Sequence, residues 1–208
     1  MSILSVLFQK GKTVHFKKGE FFMSPNKRPQ GVYLLTEGFL ISYSESDTNK
    51  KRIQTILKKG DTFPLAWAIN NEKRNIYLEA LTDGTAQVIE KEIFLDHITH
   101  NHEATLEMVS VLLMYLSTYV DRVDNLEYDK VREKVISRII FFANRFGIKK
   151  EKRILIDLPI THKLIAESIS VSRENVTREL KNLGKKKLIT FKNRQLVVLD
   201  LQALKDEL

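Results

Sequence analysis

The sequence predicts an α+β protein in which a strand-rich N-terminal region leads through a long helix into a C-terminal winged helix-turn-helix. Three observations support this prediction: glycine-punctuated apolar runs in residues 14–94, a helical apolar period from about residue 94 to residue 146, and two capped helix patterns followed by a hairpin pattern. We therefore expect three parts, at residues 1–102, 103–128 and 129–208.

The N-terminal apolar runs are short, and turn chemistry separates them. Glycine stands in these turns, at Gly19, Gly38, Gly60 and Gly84. Short strands with frequent turns are typical of a small antiparallel barrel or sandwich. We expect no helix in this region, because no helical period is present.

A long helix is predicted after residue 102 by apolar residues that lie alternately three and four positions apart. Such spacing is typical of a helix that pairs with another helix. The seam consists of Val109, Leu112, Leu116, Tyr119, Val123 and Leu126. We expect it to join two copies of the chain as a homodimer; the alternative is a helix that packs on its own domain. A second amphipathic helix is expected from about Lys130 to Phe146, ending at Gly147.

Net charge is unevenly distributed along the chain. Residues 1–128 contain 15 Lys and Arg against 16 Asp and Glu, a balance of −1, whereas residues 129–208 contain 19 against 10, a balance of +9. The whole excess of +8 therefore lies in the C-terminal part. A basic module beside a neutral one suits binding to nucleic-acid phosphates, although a solvated lysine-rich surface has the same composition.

Residues 160–183 carry the pattern of a helix-turn-helix. Thr161 is the expected N-cap of a first helix, Ser170 and Val171 form the turn, and Ser172 caps a second helix. The inward positions are Leu164, Ile165, Ile169, Val176, Leu180 and Leu183. Two apolar runs follow around a turn at 192–194, and this hairpin pattern is typical of a wing.

The polar face of the second helix carries side chains that can recognise double-stranded DNA, the expected partner. Arginine pairs with guanine, glutamate accepts from cytosine and asparagine pairs with adenine, whereas lysine and threonine hold the backbone. The expected backbone or secondary contacts are Thr161, Ser172, Asn175, Thr177, Lys181, Lys186 and Lys192.

The run from Ile169 to Leu180, followed by Leu188 and Ile189, resembles the recognition helix and wing of the Crp/Fnr (cAMP receptor protein/fumarate-nitrate regulator) family. The N-terminal strand series is similar to that family's cyclic-nucleotide-binding-type β-roll, a jelly-roll, and the seam lies where its dimerisation helix lies. The resemblance therefore covers nearly the whole chain.

The resemblance implies a sequence-specific transcription regulator that acts as a homodimer on a palindromic operator. It also implies contact with RNA polymerase and control through the β-roll. By the same resemblance, Arg173, Glu174 and Arg178 read bases in a TGTGA-like half-site that occurs twice, about one helical turn apart.

The same comparison predicts that cAMP is not bound. Family members that bind cAMP carry a Gly-Glu pair after the Gly-Asp turn and an Arg-Ser pair further on, whereas this chain has Pro64-Leu65 and Arg74-Asn75. Proline provides no N–H, and loss of the glycine hinders close approach of the backbone to a phosphate. The candidate effector pocket, for an unidentified small molecule, consists of Phe63, Leu65, Trp67 and Arg74.

Other kinds of site find little support in the sequence. There are no cysteines, which fits a reducing cytoplasm, and no run approaches the roughly 20 apolar residues of a membrane span. No nucleophile triad, carboxylate pair or P-loop is visible, so we expect no enzyme, cofactor or metal. His97, His100, His102 and Glu103 are expected in a polar segment before the long helix.

Two alternatives stay open. One is an effector-independent, constitutively active regulator. The other is a cupin-like metal-binding or catalytic β-roll that carries the basic module as an accessory, and a tightly bound metal in the purified protein would favour it.

Overall fold

The computed structural model describes residues 3–46, 50–72, 75–124, 128–192 and 195–208. The chain divides into two compact units, residues 1–118 and 119–208, so the dividing point falls inside the long helix. The first unit contains α1 (Ile3–Phe8), β1 (Lys12–Phe16), β2 (Phe21–Met23), β3 (Val32–Glu37), β4 (Leu40–Glu45), β5 (Lys51–Leu57), β6 (Thr62–Phe63), α2 (Leu65–Asn70), β7 (Tyr77–Ala80), β8 (Gly84–Ile89), α3 (Lys91–His100) and most of α4 (His102–Asp124).

Two four-stranded antiparallel sheets form the centre of the first unit, which confirms the predicted sandwich. Their strand orders are β1-β8-β3-β6 and β2-β7-β4-β5. A buried cluster takes Phe16, Leu35 and Ala86 from the first sheet and Leu40 and Leu78 from the second, so both sheets contribute to one core.

Gly38 makes the turn between β3 and β4 possible. Its φ is +89°, and a Cβ atom there would lie 2.6 Å from the carbonyl oxygen of Asp83. Both the positive φ and the close approach of the second backbone require a residue without a side chain.

The expectation of a helix-free region between residues 14 and 94 is wrong at α2, and a second short helix, α1, precedes that region. Each helix has six residues, which is less than two turns and too short to show a 3.6-residue period. Leu4 and Phe8 of α1 are buried with Leu65 and Ala68 of α2. The helical region also begins earlier than expected, at Lys91.

Helix α4 has two apolar faces, one buried against the core of the first unit and one exposed to solvent. Ala104, Met108, Val111 and Tyr115 pack against the core of the first unit. The predicted seam lies on another face, where the described members are between 42% and 60% exposed: Val109, Leu112, Leu116, Tyr119 and Val123. In this structure the described seam residues are not covered by their own domain, and their pairing with a second copy stays a prediction. Leu126 lies outside the described residues.

The second unit surrounds helix α5. Its elements are α5 (Val131–Phe146), β9 (Gly147–Lys150), β10 (Arg153–Ile156), α6 (His162–Ile169), α7 (Arg173–Lys185), β11 (Ile189–Lys192), β12 (Gln195–Val198) and α8 (Leu201–Lys205). One antiparallel sheet has the order β11-β12-β10-β9, so the predicted wing hairpin pairs with a second hairpin that the sequence patterns did not indicate. Gly147 follows α5 directly, as expected.

Gly147 ends α5 without adopting the left-handed conformation, and a glycine is needed there because the surrounding atoms are close. Its φ is −79°, which any residue can adopt. A Cβ atom there would lie 2.0 Å from the carbonyl oxygen of Ala143 and 2.5 Å from Ile154. The glycine therefore lets β9 leave the end of α5 against β10.

Candidate nucleic-acid interface

Side-chain caps begin both helices of the helix-turn-helix, as predicted. The Thr161 hydroxyl accepts a hydrogen bond from the backbone N–H of Leu164 at 3.0 Å, and the Ser172 hydroxyl accepts one from Asn175 at 3.2 Å. Ser170 ends α6 in the left-handed region with φ +56°. The caps satisfy N–H groups that have no partner inside the helix, so they define where α6 and α7 start.

Buried side chains hold α7 against α6 and α5. Leu164, Ile165 and Ala166 face inward from α6, whereas Ile169 is half-buried. Arg138 of α5 also donates to the carbonyl oxygen of Ser168 at 2.9 Å, near the end of α6. The inward residues of α7 are Val176, Leu180 and Leu183. This packing leaves the opposite side of α7 open to solvent.

The outward side of α7, called here the recognition face, is strongly cationic. It holds four basic side chains against one carboxylate. Its members are Arg173, Glu174, Thr177, Arg178, Lys181, Asn182 and Lys185. The structure thus places the three predicted base readers on one face. Sequence reasoning missed Asn182. From the lysine run at residues 185–187 it selected Lys186 as a DNA contact, although Lys185 lies seven residues after Arg178, a spacing that returns to the same side of a helix.

The small polar residues predicted as backbone contacts have structural partners within the protein. The hydroxyls of Thr161 and Ser172 accept the capping bonds described above. The Thr177 hydroxyl donates to the carbonyl oxygen of Arg173 at 2.8 Å and lies 2.8 Å from His162 Nδ1. Asn175 donates its backbone N–H to Ser172. These residues shape the helices, and their contacts with DNA stay predictions.

Three consecutive lysines, residues 185–187, stand at the end of α7, and the structure gives the first two different surroundings. Lys185 lies on the recognition face. Lys186 instead approaches both carboxylate oxygens of Glu207, at 2.7 and 2.9 Å, and Glu207 also pairs with Arg132. Lys186 therefore shares the single carboxylate of Glu207 with Arg132 and is held in an ion pair within the protein. The side chain of Lys192 lies outside the described part of the chain.

The wing strands β11 and β12 pair antiparallel from Ile189–Val198 to Lys192–Gln195, which confirms the predicted hairpin. Phe191 on β11 packs against the ring of His162, with centroids 5.5 Å apart and an interplanar angle of 62°. Burial, reinforced by the nearby charges of Arg173 and Lys181, lowers the pKa of His162 below its ordinary value.

The structure does not gather the candidate effector residues into one lining. Phe63 belongs to the core between the two sheets, whereas Leu65 belongs to the cluster beneath α2, α3 and α4. Trp67 is half-buried against that second cluster, with Lys91 Nζ 4.9 Å from its ring centroid. Arg74 lies outside the described residues.

The three histidines and one glutamate between residues 97 and 103 lie at the junction of α3 and α4. His97 and His100 occupy the last turn of α3, and His102 and Glu103 begin α4. Over the described ranges, no group of three or more His, Asp or Glu side chains is arranged to hold a metal ion. No helix in the same ranges has the length and apolarity needed to cross a membrane.

Two family models match the chain, one on each side of α4. The cyclic nucleotide-binding domain model matches residues 13–101, and the Crp-like helix-turn-helix domain model matches residues 133–207. Together they take in most of the sequence and agree with the two units of the fold.

Curated relatives and solved structures agree with these matches. The Global nitrogen regulator of Synechococcus elongatus is 24% identical over 207 residues, which is 96% of this chain and 87% of that protein. The structure of FixK2 from Bradyrhizobium japonicum has a TM-score of 0.80 at 18% identity and covers 94% of this chain and 96% of its own. A CooA mutant from Carboxydothermus hydrogenoformans has a TM-score of 0.79 at 22% identity, covering 98% and 89%.

The strand-rich first unit precedes the helix-turn-helix and wing, in the same order as the two matched ranges. The chain belongs to the Crp/Fnr family of DNA-binding transcription regulators.

Proposed function

We propose that two copies of this chain pair through α4 and place their α7 helices in successive major grooves of a palindromic operator. Arg173, Glu174 and Arg178 would read bases in each TGTGA-like half-site. In this proposal the dimer acts in the cytoplasm, where it recruits or blocks RNA polymerase, and events in the β-roll control it. The observation that carries the proposal is the cationic recognition face of α7, held outward by a well-packed core.

The exposed seam of α4 supports pairing of two copies. Its described members are large and apolar, and they continue over more than three helical turns from Val109 to Val123. Contiguous apolar patches of this kind mark protein–protein contacts, since their burial removes apolar area from water. A seam between identical helices is self-complementary, which suits a two-fold dimer on a two-fold operator.

The chemistry of the recognition face supports base reading by α7. Arg173 and Arg178 are exposed, and the guanidinium of each can donate two parallel hydrogen bonds to guanine O6 and N7. Among the described residues, the ion-pair partner of the Arg178 side chain is the carboxylate of Glu179, in a long contact at 3.4 Å, so the guanidinium can reorient towards a base edge.

Selection of bound sites from a random DNA library at physiological salt tests this function. We expect a palindrome whose half-site centres are about 10 base pairs apart, with guanines at the positions read by the two arginines. Recovery of no enriched motif would contradict sequence-specific binding, and recovery of single, unpaired half-sites would contradict dimeric binding.

The interior of the β-roll favours the alternative of a constitutively active regulator. Phe22 packs edge-on against Phe16, Tyr33 and Phe63, with centroids 5.1–5.3 Å apart, and Tyr33 stacks on Phe63 at 5.2 Å. Phe63, one of the candidate effector residues, thus belongs to a cluster of four rings centred on Phe22. DNA affinity measured with and without a metabolite panel that includes cAMP distinguishes the two: a change in affinity indicates a switched regulator.

A further inference from the structure

His162 lies where the three DNA-facing elements of the second unit meet. It is the first residue of α6, its Nδ1 lies 2.8 Å from the hydroxyl of Thr177 on the recognition face, and its ring packs on Phe191 of the wing. A side chain at this junction contacts both elements that the proposed function places on DNA.

The contact with Thr177 shows which nitrogen of a charged imidazole stays available to a partner. Both nitrogens of an imidazolium are donors, so in that state Nδ1 donates to the Thr177 hydroxyl, 2.8 Å away. The hydroxyl can accept this bond because its own hydrogen is directed to the carbonyl oxygen of Arg173, also at 2.8 Å. The Nε2–H of the charged ring is therefore the donor that remains for a partner outside the protein.

In the absence of DNA, the charges around His162 oppose protonation of its neutral ring. From α7, Arg173 and Lys181 act on the ring, and both are cationic. From β11 the contacting side chain is Phe191, which is uncharged. On α6 the adjacent Lys163 lies 3.7 Å from Glu167, which partly balances it. Nearby phosphates would reverse this balance, because they neutralise the two α7 cations and attract the imidazolium.

We infer that His162 takes up a proton when the recognition helix and the wing engage DNA, and that its Nε2–H then donates to a backbone phosphate. The inference rests on the proposed function and names one further contact in it. The proton comes from solvent, one for each protomer. Thr177 keeps its bond to Nδ1 throughout, so the ring stays oriented between α7 and Phe191.

The direction of the pH dependence follows from linkage. DNA binding that takes up a proton tightens as the pH falls, by at most about tenfold in Kd per pH unit for each proton taken up. The effect ends once the pH is low enough to charge His162 in the free protein as well.

The test uses the full-length protein and a 30-base-pair duplex of arbitrary sequence, since a phosphate contact needs no operator. Fluorescence anisotropy at constant ionic strength gives Kd between about pH 5.5 and pH 8. His162→Asn retains an N–H donor towards Thr177 but cannot ionise. His100→Gln, which removes an exposed histidine of the first unit, is the matched control.

We expect the wild type and His100→Gln to bind several-fold more tightly at the acidic end, and His162→Asn to lose most of that gain. NMR titration of the His162 ring, followed with and without the duplex, should show its pKa rising when DNA binds. An unchanged pKa, or the same pH dependence in His162→Asn as in the wild type, overturns the inference while leaving DNA binding intact. Failure to bind the duplex at any pH overturns this inference, whereas the proposed function fails only if selection from the random library recovers no motif.

Discussion

Helices α4 and α7 each bury one side in their own unit and expose the other, but the two exposed sides differ in chemical character. The exposed side of α4 is apolar, from Val109 to Val123. The exposed side of α7 is polar and mainly cationic, from Arg173 to Lys185. Exposure to water is unfavourable for the apolar face only, whereas the cationic face is well solvated and attracts anions, so the two faces need different partners.

The difference predicts how each face responds to solution conditions. Burial of apolar area does not depend on charge screening, so pairing through α4 should tolerate salt. Binding of phosphates by α7 releases counterions and should weaken steeply as salt rises. Four experiments test the roles assigned to these faces, and the one with the largest expected effect comes first.

Leu112→Glu combined with Leu116→Glu should abolish dimerisation. The dimer would lose four buried leucines, each contributing about 1.5–3 kcal/mol, and would place carboxylates in the seam. We expect monomers at micromolar concentration in sedimentation equilibrium, and a loss of operator affinity of at least about 100-fold because only one half-site is then held. Ser110→Glu, which adds a carboxylate to an exposed position off the seam, should remain dimeric. A dimeric double mutant would disprove the seam.

Arg178→Ala and Arg173→Ala should each weaken operator binding and relax its specificity. Loss of one bidentate guanine contact costs about 1–3 kcal/mol, roughly 5- to 150-fold in Kd. Binding to a non-operator duplex should fall much less. A titration at fixed salt that shows equal losses for both duplexes would identify these arginines as backbone contacts.

Lys185→Ala and Lys186→Ala form a matched pair, since they remove the same charge from adjacent positions. Lys185 lies on the recognition face, whereas Lys186 is paired with Glu207. We expect Lys185→Ala to weaken operator and non-operator binding alike and to lower the slope of log K against log salt by about one per protomer. Lys186→Ala should change neither value appreciably. The reverse result would show that Lys186 leaves Glu207 on binding DNA.

His162 should give the free protein a small stability loss in acid, opposite in sign to its expected effect on DNA binding. Its pKa is lowered by burial and by Arg173 and Lys181, so the unfolded chain binds the proton more readily. The stabilising contribution is thus complete above the ordinary pKa of histidine and is lost as the pH falls towards the folded value. Thermal unfolding at about pH 7.5 and about pH 5.5 should show a smaller change in Tm for His162→Asn than for the wild type.

Local signals made the recognition helix predictable. The caps Thr161 and Ser172 act within three residues of themselves, and the charges of α7 lie on consecutive turns. The seam of α4 was predictable for the same reason, because its spacing is a property of one helix. The short helix α2 was not predictable, since six residues are too few to show a 3.6-residue period. The hairpin of β9 and β10 was missed because β9, with the sequence GIKK, lacks the apolar run that marks the wing strands β11 and β12.

The sequence alone was enough to predict the long helix, the starts of the two capped helices and the concentration of positive charge in the C-terminal part. The tertiary structure was needed to separate Lys185, on the recognition face, from Lys186, which pairs with Glu207, 21 residues away along the chain. It was also needed to bring His162 Nδ1 within 2.8 Å of the hydroxyl of Thr177, fifteen residues further on. Propensities, caps and periods act over a few residues, whereas ion pairs and long-range hydrogen bonds depend on contacts that exist only after folding.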